Sequence, residues 1–190
     1  VNWNTHSELK GSHAIMSASQ PYWLNDSDDK FIERFNKFEA AARGTRLHDS
    51  AARDILFGQE FNILRPANGR TYETYVNDAI KYRMRPEQIL YYSQWAFGTA
   101  DAISFRRNLL RIHDLKTGHT PVKIEQLYIY AALFCLEYHH KPGQIKMELR
   151  IYQNDQVNIW TPTAMEIAPI MDIIIKRTVM IQKYLNMEEI

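Results

Sequence analysis

Apolar positions recur along the chain with two different periods, and the switch between them outlines the elements. Phe31, Phe35 and Phe38 fall at spacings of four and three behind the cap-competent stretch Asp26 to Asp29, which predicts a helix. Ala40-Ala41-Ala42 extends it, and Gly44 weakens or breaks it before a second helical stretch through Phe57. Residues 1–30 read as a polar N-terminal arm whose aromatic island, Pro21-Tyr22-Trp23-Leu24, packs onto the body. Pro66-Ala67-Asn68-Gly69 is a loop by composition. Tyr72 to Arg83 predicts an amphipathic helix with Tyr72, Val76, Ala79 and Ile80 on one side.

The texture then changes to β-branched and aromatic runs. Ile89 to Trp95, Gly98 to Phe105 and Leu109 to Leu115 predict three antiparallel strands, with Arg106-Arg107-Asn108 as the turn between the last two. Ile124 to Tyr138 returns to helical spacing. Met147 to Tyr152 and Val157 to Trp160 form a hairpin around Asn154-Asp155, and a last helix capped at Thr163 runs to about Leu185. Helices, three strands, helix, two strands, helix is the order of an α/β protein: a mixed sheet with a helical N-terminal region. The 190 residues show no internal repeat, so a single domain over 1–190 is expected.

Composition narrows the picture only a little. An apolar fraction of 45% excludes a disordered chain, and 23 Lys plus Arg against 22 Asp plus Glu identifies no partner. The single cysteine, Cys135, lies in an apolar run and excludes an internal disulfide or a cysteine-rich metal module. No stretch approaches the ~20 apolar residues of a membrane span. Val1 to Lys10 is polar and carries no secretory pattern. A cytoplasmic protein without a membrane partner is the expectation.

Candidate chemistry lies in the middle of the chain. Alternation puts Leu110, Ile112, Asp114 and Lys116 on one strand face, and Arg111, His113 and Leu115 on the other. With a turn centred on Arg107-Asn108, residues summing to 215 pair across the hairpin, and Asp101 faces Asp114. Opposed carboxylates repel, and a hard divalent cation removes that penalty. The same residues also fit a solvent-exposed edge on which Lys116 simply pairs with Asp114.

Gly98-Thr99-Ala100-Asp101, then Asp114-Leu115-Lys116, then Gln126-Leu127-Tyr128-Ile129-Tyr130 resembles the PD-(D/E)XK nuclease pattern. It looks most like the RecB-like and phage exonuclease branch, whose upstream Gly-Thr-x-x-His is matched by Gly44-Thr45-Arg46-Leu47-His48. The segment Ser17-Ala18-Ser19 is similar to the start of some phage-encoded members. The likeness runs over about residues 15 to 153. It implies a restriction-endonuclease-like mixed β-sheet core flanked by helices. It further implies that Asp101, Asp114, His48 and the Leu115 carbonyl ligate Mg²⁺ or Mn²⁺, the imidazole making Mn²⁺ a plausible preference. Lys116 would activate water and stabilise phosphate charge, with Gln126 and Tyr130 orienting the phosphate or Lys116. Thr117 and Gly118 would let the backbone turn beneath DNA. Arg43, Arg46, Arg106, Arg107 and Lys123, with the run Lys81, Arg83 and Arg85, are candidate phosphate contacts.

His113, His119 and the pair His139-His140 read as structural, and Glu39 is set aside because it lies nine residues from His48, on the opposite helical face. Ala100 stands where the family often has Pro, and neither iron–sulfur cysteines nor a phosphate-binding Gly-Lys-Ser/Thr loop is present. The resemblance implies a metal-dependent DNA nuclease, phage- or prophage-derived. Its favoured form is an exonuclease acting at DNA ends in recombination or repair. A single-strand annealing protein or helicase is a candidate partner, and a homo-oligomer is one way to close the DNA path. A structure-selective or nicking endonuclease, a non-catalytic DNA-binding module, and a metal-binding hydrolase of other substrates remain open.

Overall fold

The computed structural model describes residues 15–16, 21–62, 69–118 and 123–188. Ser17-Ala18-Ser19, His119 and the loop residues 66–68 lie outside them. The chain divides into two compact units between Arg46 and Leu47, a boundary inside helix α1 (Asp28–Phe57).

In the first unit a 3-10 helix, Pro21–Asn25, precedes α1. The Asp26 carboxylate accepts from Arg34 Nε at 2.7 Å and pairs with Lys30 Nζ at 3.2 Å. These contacts tie down the start of the helix, and Asp28 and Asp29 complement its dipole. α1 passes through Gly44 without a break. One helical glycine costs only about 1 kcal/mol, and the chain beyond it is held by the buried Ala51 and Ile55.

In the second unit five strands form one sheet in the order β1-β2-β3-β4-β5. They are β1 (Arg85–Ser93), β2 (Ala96–Arg106), β3 (Leu109–Leu115), β4 (Lys146–Gln153) and β5 (Gln156–Trp160). Only β3 and β4 run parallel. A parallel pair needs a crossover, which α3 (Glu125–Glu137) supplies. The protein is therefore α/β with a mixed sheet flanked by helices, as the apolar pattern predicts. The β2–β3 pairs sum to 215 from Arg106↔Leu109 to Ala102↔His113, as expected. Arg107 and Asn108 make the turn with φ of 50° and 61°, the left-handed pair that matches strand twist.

Helices cover both faces. Leu127, Ala131 and Phe134 of α3 and Ile167 of α4 (Ala164–Glu188) pack with Leu90, Ile103, Ile112 and Leu149. On the other face Ala51 and Ile55 join Tyr75, Val76 and Ala79 of α2 (Thr71–Lys81) against Ala102, Leu115 and Tyr152. The last helix starts at Thr163 as predicted, where the Glu166 carboxylate reaches back to the Thr163 N–H at 2.7 Å. Asp155 has a second role beyond its turn. Its carboxylate accepts from the N–H groups of Gly69, Arg70 and Thr71 at 2.6, 2.7 and 3.1 Å, which caps α2 from 84–86 residues away and holds its own pKa low.

The first strand begins four residues earlier than its apolar run indicates, at Arg85 instead of Ile89. Pro86 reads as a strand breaker, yet β1 is an edge, where a missing N–H can face outward.

His113 is fully buried on the α2 face. Tyr152 Oη donates to Asp78 Oδ2 at 2.7 Å, so its contact with His113 Nδ1 at 3.1 Å is one in which the imidazole donates. Nε2 is then the bare nitrogen, buried without a partner among the described residues. Burial, reinforced by the Arg150 and Arg111 charges, holds the His113 pKa far below its ordinary value. The unfolded chain takes up a proton near pH 6.5 that the folded chain refuses, so stability is full above that pH and falls as the pH drops below it. The expected result is that urea denaturation at pH 7.5 and 5.5 shows a smaller acid loss in His113→Asn than in the wild-type chain. Equal losses would contradict the assignment.

Candidate functional site

The site forms where the sheet departs from regularity. Ala100 packs in the α3-side core and Ala102 in the α2-side core, although residues two apart on a strand normally share a face. The change of phase falls at Asp101. On the neighbouring strand Gln88 pairs with Ala100 and Pro86 with Ala102, which sets Glu87 beside Asp101. Glu87 has φ 48°, a left-handed conformation that a non-glycine residue adopts at a cost.

The kink frees the Asp101 side chain from the ladder. Pairing of β2 with β3 stops at Ala102↔His113, one step short of Asp101 and Asp114. The Leu115 N–H instead donates to Asp101 Oδ2 at 2.9 Å, and His48 Nδ1, from α1, lies 3.3 Å from the same oxygen. That bond raises the pKa of His48 against the opposing effect of burial. One donor atom each from His48, Glu87 and Asp101 lie within 4.8 Å of one another. Partial burial, and then the Asp101 charge, push the Glu87 carboxyl up.

Asp114 projects from β3 into the α3 side and is 1% exposed. Burial, and then Asp101, raise its pKa to about 6. Lys116 Nζ lies 3.0 Å from Oδ1, and among the described residues neither oxygen accepts a well-formed hydrogen bond. A buried carboxylate is costly unless a cation offsets it, and Lys116 supplies one on the Oδ1 side. Lys116 also donates to Gln126 Oε1 at 3.0 Å, and Gln126 Nε2 donates to Tyr130 Oη at 3.1 Å. The i,i+4 spacing on α3 puts these two side chains on one face, as predicted.

The chain therefore brings together His48, Asp101, Asp114, Lys116, Gln126 and Tyr130 in two adjoining groups, with Leu115 contributing its N–H to one of them. The mixed nitrogen and carboxylate donors are a set that Mn²⁺ or Mg²⁺ could use. Glu87 is the member that sequence reasoning misses. Thr117 and Lys123 both lie in the segment between β3 and α3 and are exposed. Arg43 and Arg46 are exposed residues of the first unit. Arg106 and Arg107 are not beside this site: Arg106 is five residues along β2 from Asp101, roughly 17 Å at strand rise.

Gly98 has a steric role. A Cβ there would lie 2.9 Å from Cε1 of Tyr130, so only glycine lets that ring rest on β2.

Among the described residues no helix is long and apolar enough to cross a membrane. No family model matches the sequence, and no curated protein matches it significantly.

Two measurements check this geometry. Gly98→Ala should cost about 1–3 kcal/mol in urea denaturation, the usual range for overpacking, and much less in a Tyr130→Ala background; equal costs would remove the contact from consideration. The melting temperature should rise with added Mn²⁺, by the equivalent of ~2.7 kcal/mol at a hundredfold excess over Kd. Asp101→Asn, His48→Ala and Glu87→Gln should each shrink that rise. A wild-type chain indifferent to Mn²⁺ and Mg²⁺ would count against the donor set.

Proposed function

We propose that this protein is a divalent-metal-dependent DNA nuclease of the PD-(D/E)XK type, hydrolysing phosphodiester bonds and acting from DNA ends. The observation that carries the reading is a pair of adjoining runs of contacts, His48 to Asp101 and Asp114 through Lys116 and Gln126 to Tyr130. Four elements remote in sequence converge to make it, and they are the elements that hold the motifs quoted above. The mixed sheet, with one crossover helix between its parallel strands, is compatible with it.

His48, Asp101 and Asp114 would hold Mg²⁺ or Mn²⁺, with Glu87 as a further carboxylate at hand. The ion supplies positive charge at the scissile phosphate and makes water more acidic. His48 must give up its proton to ligate, so the Asp101 bond that favours the protonated imidazole competes with the metal. Lys116 donates one ammonium proton to Gln126 and lies in ion-pair range of Asp114, which leaves its ammonium able to donate to a phosphate oxygen as well. Tyr130 accepts from Gln126, so its own hydroxyl proton is free to donate in the same direction. Gln126 thus acts as a positioning residue between two donors.

The test is degradation of linear and of covalently closed circular DNA in Mg²⁺, Mn²⁺ or EDTA. Metal-dependent loss of linear DNA alone is expected, with Lys116→Ala lowering the rate at least about a hundredfold. Cutting of circles would move the activity to an endonuclease. Intact DNA under every condition would overturn the proposal.

A further inference from the structure

The C-terminal end of β2 carries a second feature, built from a different chemistry. A cavity of about 480 Å³ lies between the start of β1, the end of β2 and the C-terminal end of α3. Its apolar wall includes Leu90, Ile103 and Phe105, and at its rim His140 stacks on Phe134 with ring planes 8° apart. Arg83, Arg85 and Arg106 line it. None of these three guanidinium groups has an ion pair or side-chain hydrogen bond among the described residues. By contrast, Arg111 is held by Glu148, and Arg150 by Asp78 and Glu148. Ser104 lines the same cavity at 8% exposure, but its Oγ is buried beneath the surface and has no partner among the described residues.

A second cavity, of about 720 Å³, shares Arg83 and Arg106 and adds Lys81, Arg107 and Lys146. Among the described residues no Asp or Glu lines either one. In a chain of nearly balanced charge, this is a segregated cationic surface that lacks its counter-ion.

The backbone supports the same conclusion. The Arg83 N–H donates to the Ile80 carbonyl and the Met84 N–H to that of Ala79, both at 2.9 Å, which is the Schellman ending of α2. Arg83 therefore occupies the position where glycine is preferred, with φ 51°. Arg107 does the same at the first corner of the β2–β3 turn, with φ 50°, where Asn or Gly is easier. Two arginines are kept at left-handed positions beside one basic cavity. Each costs local stability relative to glycine, and among the described residues neither guanidinium gains a hydrogen bond or ion pair in return.

We propose that this cavity binds one nucleotide unit. Its phosphate would lie against Arg83, Arg85 and Arg106, and its base against the Phe134–His140 ring pair. The volume falls within the range of small-ligand sites. The neighbouring cavity continues the positive lining, so a single strand is the favoured source of the nucleotide and a free mononucleotide the other. The choice of DNA as the ligand rests on the nuclease reading, whereas phosphate recognition stands on the cavity alone.

The experiment is fluorescence anisotropy of a labelled fifteen-nucleotide single-stranded DNA in EDTA, where no cleavage occurs, competed by dAMP and by inorganic phosphate. Arg85→Ala and Arg106→Ala should each weaken binding about five- to tenfold and lower the salt slope by about one. Arg83→Gly is the decisive variant, because it should raise the melting temperature while weakening binding, so lost affinity cannot be ascribed to a damaged fold. Competition by dAMP in the wild-type chain, lost in these variants, would assign the site to a free nucleotide. DNA binding without that competition would assign it to a strand. Unchanged affinity in a folded Arg85→Ala/Arg106→Ala double variant, or no binding of any of the three probes, would overturn the proposal. Cleavage is scored separately with Lys116→Ala, so a failed nuclease assignment and a failed nucleotide site give different results.

Discussion

One hydrogen bond organises the centre of this protein: the Leu115 N–H donating to the Asp101 carboxylate. In a regular hairpin that donor would meet a main-chain carbonyl across the ladder. Here a side chain takes the carbonyl's place, and the ladder ends where it does. The bond leaves Asp101 with lone pairs facing α1, which is how a histidine more than fifty residues upstream comes to share its oxygen. It also stops Asp101 and Asp114 from standing directly opposite each other, so the two acids remain coupled by charge without being forced into contact.

Much of the arrangement is legible in the sequence because it follows simple periods. Asp114 and Lys116 share a face at a spacing of two, Gln126 and Tyr130 at a spacing of four, and the hairpin sum of 215 fixes which β2 and β3 residues pair. What regular periods cannot show is an exception to them. Glu87 is hidden by Pro86, which suppresses the expectation of a strand, and by a left-handed backbone that no local pattern announces. Asp155 reads as a turn residue, and nothing nearby reveals that it also caps α2. Arg106 and Arg107 lie close in sequence to Asp101, yet an extended strand converts five residues into roughly 17 Å, about half the length of β2.

The middle and the C-terminal end of β2 show opposite electrostatic strategies. Around Asp101, carboxylates are gathered and partly desolvated, with His48 and Lys116 in contact with them. Around Arg106, cations are gathered, and among the described residues Arg83, Arg85 and Arg106 have no acidic partner. Each cluster is unfavourable by itself, and each is favourable in company with an ion of the other sign. Their separation along one rigid strand keeps them from neutralising each other, which a flexible loop would not do.

Glu87 has an effect that reaches beyond chemistry. β1 is an outer strand, and Ile89 and Tyr91 on it are 55% and 49% exposed. An extended apolar border of this kind invites a second chain to pair along it. Pro86 lacks the N–H such an intruder would need, and the left-handed turn of Glu87 swings the next groups out of line. The distortion that delivers a carboxylate to the site therefore also spoils the border as a template, and straightening it would expose the protein to fibrous self-association.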